Sequence, residues 1–208
     1  MLGLSGLLAV LTACGAGTST SQPSPAPADD DRIAAQVRAD SLRRPYTEAD
    51  IRFMSHMIRH HRQAVLIAGW AESHEAGPAV LRLARRVAAG QESEIRTMVQ
   101  WLEDRGHGGH TDGHAGAHAM LMPGMLTGDQ LRELDAARGE AFDRLFLTRM
   151  IQHHRGAVAM VRELFATPGA AQDETVFRFA NGVGVDQTTE IARMEAMLAT
   201  SATESHTQ

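Results

Sequence analysis

The sequence predicts an all-α protein, a four-helix bundle assembled from two copies of one helical hairpin. Three observations lead there. Residues 53–65, FMSHMIRHHRQAV, return as residues 146–158, FLTRMIQHHRGAV, with eight of thirteen positions identical. Residues 84–98, ARRVAAGQESEIRTM, return as residues 180–194, ANGVGVDQTTEIARM, keeping Ala, Val, Gln, Glu, Ile and Met. Apolar residues recur at helical spacing in these segments, and the alternation of a strand is missing. The copies are offset by 93 in the first pair and 96 in the second, which puts three extra residues into the second hairpin's turn. A fixed internal period of this kind marks a duplicated unit.

Along the chain, the apolar stretch 2–11, LGLSGLLAVL, has the length of a secretory signal core. It runs into Leu11-Thr12-Ala13-Cys14, so residues 1–13 read as a lipoprotein signal peptide and Cys14 as the lipidated residue. The absence of Arg or Lys ahead of the apolar core departs from the usual signal. Residues 14–32 read as a flexible tether, since after Cys14 they are mostly Gly, Ser, Thr, Pro and Ala with a run of Asp at 29–31, too polar to bury a core. The expected location is extracytoplasmic, on the outer face of the cell membrane or in the periplasm, held by a lipid anchor.

The folded domain is expected over residues 46–199. Thr47 followed by Asp50 makes a capping box for a helix from about residue 47 to 74. Gly77-Pro78 turns the chain, with Pro suited to the first turn of a helix that Gly106 stops near residue 105. Thr127 and Gln130 cap a short helix over about 128–138, with Leu126 and Leu131 placed as a hydrophobic staple. After Gly139 a long helix reaches about 166, Pro168-Gly169 breaks it, and a last helix spans about 171–199. Residues 200–208 read as a disordered tail.

The helices carry polar residues on the face that should be buried. At ~100° per residue, Asp50, His60, His61, Ala64 and Ala68 all fall within about 60° of Met57. Asp143, His153 and His154 repeat this around Met150. In the second helices Gln91 and Glu94 lie on or beside the stripe of Leu81, Ala84, Val87, Ile95 and Met98, and Gln187 and Glu190 copy them. Buried polar groups cost free energy unless paired. Either a hydrogen-bonded network spans the core, or metal ions are bound there. Met57, His60 and His61 form one patch, and Glu94 with Met98 offers a further ligand or an acceptor behind the imidazoles.

Residues 106–125, GHGGHTDGHAGAHAMLMPGM, link the hairpins. His107, His110, His114, His118, Met120, Met122 and Met125 make this a tract for capturing metal ions, the alternative being a plain solvated linker. Composition supports a soft or borderline metal. The chain holds 11 His and 11 Met but one Cys, at position 14. Imidazole with thioether and no thiolate favours copper, as Cu(I) or Cu(II). Zinc would leave Met idle. A di-iron centre asks for Glu-x-x-His on two helices, which is missing, although Glu94 and Glu190 keep iron in view. The net charge of −5 argues against nucleic acid as a partner. No apolar run is long enough for a membrane span.

The pattern Asp-x-x-Phe-x-x-x-Met-x-x-His-His followed by Gln-x-x-Glu-Ile-x-x-Met, all duplicated, resembles the bacterial family known as domain of unknown function 305. The resemblance implies a ferritin-like four-helix fold and, from some members, secreted or periplasmic copper binding linked to copper resistance. Carried over by position, it implies Met57, His60, His61, Met150, His153 and His154 as ligands, with Glu94, Met98, Glu190 and Met194 less firmly placed. His56 departs from the duplication, since its counterpart is Arg149. The expected function is non-enzymatic: copper sequestration, or delivery to a copper-transfer partner. A ferritin-like di-iron or copper redox enzyme, and a structural or interaction lipoprotein with a hydrogen-bonded polar core, are the alternatives.

Overall fold

The structure, a computed structural model, describes residues 31–33, 35, 36, 39, 45–110 and 122–204. Its main helices are α1 (Glu48–Gly69), α2 (Pro78–Glu103), α3 (Gly128–Ala136), α4 (Gly139–Ala166) and α5 (Glu174–Glu204), with a 3-10 turn at Gly108–His110. No strand occurs among the described residues, and none of their helices is long and apolar enough to cross a membrane. The first 13 residues, Cys14, His114, His118 and Met120 lie outside the described residues.

Helix α1 pairs with α2, and α4 with α5; the hairpins meet where α1 packs on α4, and α3 lies against α4. The caps form as the sequence predicts. Thr47 and Asp50 close one capping box, Thr127 and Gln130 another, and Pro78 opens α2. Leu126 and Leu131 share one apolar cluster, as a staple requires.

Three boundaries differ from expectation. Helix α1 stops at Gly69 because the chain then turns inward to seat His74, whose Nε2 lies 3.0 Å from both the carbonyl and a carboxylate oxygen of Asp135. Helix α5 starts at Glu174, after Ala171 has taken a left-handed conformation (φ 55°). The Asp173 carboxylate then accepts from the amides of Thr175 and Val176 and so caps α5. At its other end α5 continues to Glu204, so residues 200–204 are helix rather than tail; Ala-Thr-Ser-Ala-Thr contains no Gly or Pro to stop it. Residues 31 and 32, placed in the tether, are also helical.

The halves grip each other reciprocally. Asp50 is fully buried, and while one oxygen accepts from Thr47, the other accepts from the Ala171 amide of the second hairpin's turn at 2.7 Å. Asp143 in turn accepts from the Gly77 amide of the first hairpin's turn, at 3.1 Å from each oxygen. Equivalent residues making exchanged contacts define a pseudo-two-fold axis, the internal counterpart of a symmetric dimer interface. Hydrogen bonds to charged groups contribute about 1.5–3 kcal/mol each. The two aspartates that share the helical stripe with the histidines are therefore fasteners between the hairpins.

Candidate metal centre

The doubled His-His motif sits where α1 and α4 meet. His60, His61, His153 and His154 are all completely buried. The His60 and His153 rings lie face to face across the pseudo-two-fold axis, with centroids 3.8 Å apart and planes inclined by 38°. His61 and His154 stand to either side, 6.4 and 6.2 Å from their neighbours.

Each ring is oriented through Nε2. His61 Nε2 donates to Glu94 Oε2 on α2 at 2.7 Å, and His154 Nε2 to Glu190 Oε2 on α5 at 2.7 Å. His60 Nε2 donates to the carbonyl of Pro123, and His153 Nε2 to the carbonyl of His60, both at 3.0 Å. A carbonyl only accepts, so Nε2 carries the proton in these last two rings. Burial, then the neighbouring His61, lowers the His60 pKa to about 3, against a partly opposing hydrogen bond to Pro123. Burial, followed by the surrounding imidazoles, also takes His153 well below its ordinary value. Both rings are therefore neutral near pH 7, with the lone pair on Nδ1.

In all four rings Nδ1 is buried without a hydrogen-bond partner among the described residues. Leaving such an atom unmet costs about 1–3 kcal/mol. An imidazole with one nitrogen hydrogen-bonded to a carboxylate or carbonyl and the other left open has the arrangement of a metal ligand. Glu94 and Glu190, candidate ligands in the sequence, here stand behind His61 and His154 as acceptors. Among the described residues no three His, Cys, Asp or Glu side chains form a ready cation cage. A complete ligand set would draw on thioethers. Met57 and Met98 are buried in one apolar cluster, and Met150 and Met194 in the other.

Above the glutamates, a cavity of about 400 Å³ separates α2 from α5. Gln91, Glu94, Asp186, Gln187 and Glu190 line it, with Arg86 and Arg193. Burial, with Glu94 and Glu190 nearby, holds Asp186 above the usual carboxylate range. Among the described residues both oxygen and nitrogen of the buried Gln91 amide lack a hydrogen-bond partner, as does the Gln187 oxygen. The groove brings solvent to the carboxylates that hold His61 and His154.

Residues 122–127 form a strap over the opposite side, a feature the sequence reading missed. Its Pro123 carbonyl orients His60, and Gly124 takes a left-handed φ of 78°. The strap rests against Gly156, where an added Cβ would run into the Pro123 carbonyl and Gly124 Cα. Gln63, the residue equivalent to Gly156, holds the same strap by accepting from the Leu126 amide at 2.7 Å and donating to the Leu126 carbonyl at 3.1 Å. The mismatch of Gln63 with Gly156 inside an otherwise well-kept repeat was the available signal. Gly156→Ala is expected to cost ~2 kcal/mol through overpacking. Thermal denaturation would show this, with the His60 ring resonances perturbed and those of His61 little changed.

The linker ligands do not gather into one described cluster. His107 lies by Tyr46, with its Nε2 3.3 Å from the Tyr46 hydroxyl. His110 closes the 3-10 turn. Met122, at the start of the strap, packs on the apolar core, and Met125 is half-buried within the strap. Asp173 was also missed: buried, it accepts from Trp101 Nε1 and pairs with Arg105 at 2.7 Å, tying α2 to the start of α5.

The profile of the family described as Domain of unknown function (DUF305) matches residues 50–198. A solved DUF305 fragment from Deinococcus radiodurans is 33% identical, with a TM-score of 0.62, covering 74% of this chain and 98% of that one. A DUF305 protein from Streptomyces coelicolor assigned as secreted is 27% identical, with a TM-score of 0.63 and coverage of 73% and 92%. CopM in its Cu(I)-bound form is 27% identical, with a TM-score of 0.56 and coverage of 75% and 98%. CopM has also been solved with Cu(II) and with Ag bound. No curated protein matches the chain.

Proposed function

From the premise that the chain belongs to the DUF305 family, we propose that it is a non-catalytic, extracytoplasmic copper-binding protein that sequesters copper or passes it to a partner. The observation that supports this most is the set of four buried imidazoles, each oriented through Nε2 and each with Nδ1 unpartnered among the described residues. Met57, Met98, Met150 and Met194 are the thioethers from which a soft ion would complete its coordination. Likeness to CopM, which binds Cu(I), Cu(II) and Ag, favours copper over zinc or iron. In this reading the groove beside Glu94, Asp186 and Glu190 attracts the cation, and the linker residues 106–125 add ligands for first capture. Lipidation at Cys14 would hold the domain at a membrane surface.

The reading of a metal-free polar core rests on the satisfied Nε2 atoms, but leaves four buried Nδ1 atoms unexplained. To separate these readings, the full chain is exposed to equal amounts of copper, zinc and iron, passed through a desalting column and analysed for metal. Copper is expected to predominate. Predominance of zinc or iron, or retention of none, would overturn the proposal.

A further inference from the structure

His56 has no part in the centre described above, and it is one of the places where the halves differ. A second cavity, of about 140 Å³, opens in the groove between α1 and α4 on the far side of the strap. His56 and Phe53 line it from α1, Met122 and Pro123 from the strap, and Met160 and Glu163 from α4. Met160 is buried, while His56 and Met122 are half-buried, so the donors lie at the boundary between core and solvent. Among the described residues neither ring nitrogen of His56 has a hydrogen-bond partner.

We propose that His56, Met122 and Met160 form a separate site for one soft monovalent cation, Cu(I) or Ag(I). One imidazole and two thioethers without a thiolate or carboxylate cage are donors that select a soft ion over zinc, calcium or magnesium. The cavity is large enough for an ion with a remaining water. Of the charged side chains on its rim, Glu163 attracts a cation and Arg52 repels it, so the selection falls to the soft donors.

The duplicate position argues for a specific role. There the counterparts of His56 and Met160 are Arg149 and Ile67. Arg149 is paired with Glu133 of α3 at 2.6 Å, and α3 itself covers that side of the bundle, where Asp135 meets His74. In the half where α3 covers the groove, the soft donors are gone. In the half where only the strap crosses it, they are present. Ile67 packs within a plain apolar cluster, whereas Met160 borders a cavity that it shares with the half-buried His56. This site is independent of the four-imidazole centre, and neither proposal needs the other to hold.

Silver is the test probe, because it has no redox change under aerobic conditions. The full chain is titrated with Ag(I), with bound ions counted by native mass spectrometry and Met methyl groups followed by NMR. The combined variant His56→Arg, Met122→Leu and Met160→Leu is expected to bind one ion fewer than the parent. The variant with His60, His61, His153 and His154 changed to Gln is expected to keep that ion, with the Met122 and Met160 methyl signals shifting together. An unchanged count in the first variant overturns the proposal. So does a shift of Met122 without Met160, which would assign the ion to the linker. If the four-Gln variant proves unfolded, the paired methyl shifts in the parent chain at the first equivalent decide the matter by the same criterion.

Discussion

With His60, His61, His153 and His154 replaced by Gln, the full chain is expected to lose more than ~100-fold in apparent copper affinity while staying helical. Gln can still donate to the acceptors that now hold each Nε2, so the hydrogen bonds to Glu94, Glu190 and the two carbonyls have a replacement. What disappears is the open imidazole nitrogen. The loss should exceed that of Glu94→Gln with Glu190→Gln, which removes only the groups orienting His61 and His154; about 10–100-fold is expected there. Competition against a chelator of known copper affinity measures both, with circular dichroism to follow the helices. Unchanged affinity in the four-Gln variant would remove the imidazoles from the proposed function.

The same burial makes the metal-free fold sensitive to acid. In the unfolded chain a histidine protonates near pH 6.5. In the folded chain His60 stays neutral to about 3, and His153 is displaced in the same direction. Below pH 6.5 the unfolded state therefore binds more protons, and stability falls as pH falls. The loss is about 1.4 kcal/mol per pH unit for each such ring. It begins near 6.5 and, for His60, ends near pH 3. Asp143 and Asp186, both raised chiefly by burial, act in the opposite sense, because the folded form accepts their protons more readily; their effect begins at lower pH. Denaturant midpoints are expected to drop steeply from pH 7 to 5, and to flatten when His60 and His153 are both Gln. A parent midpoint that is level over this range would contradict neutral burial of the two rings.

Local features were the most legible in the sequence. The capping boxes at Thr47 and Thr127 involve residues three apart and form as read. The duplicated motif placed His60, His61, His153 and His154 on buried faces, because helical periodicity alone decides that. Contacts between distant backbone atoms were not legible. Asp50 reaches the Ala171 amide across 121 residues, and nothing in the side-chain pattern names a backbone amide as its partner. The strap was hidden for the same reason, since His60 and Gln63 bind it through the main chain of Pro123 and Leu126. The end of α1 was overrun because helical propensity persists past Gly69, while the turn is imposed by the packing of His74 on α3 and Phe142. Glu94 and Glu190 were correctly placed on the inner face, but only the structure distinguishes an acceptor behind a ligand from a ligand.

The pseudo-two-fold axis between His60 and His153 also governs how bound ions can be counted. An ion held on the axis occurs once per chain. An ion held at His61 and Glu94 has an equivalent at His154 and Glu190, so off-axis ions come in twos wherever the repeat is intact. Within the duplicated helices, a position where the copies have diverged, as His56 has from Arg149, adds a single ion away from the axis. Within the duplicated helices an odd count therefore requires an ion on the axis or in the diverged half, whereas ions in equivalent pairs alone give an even count.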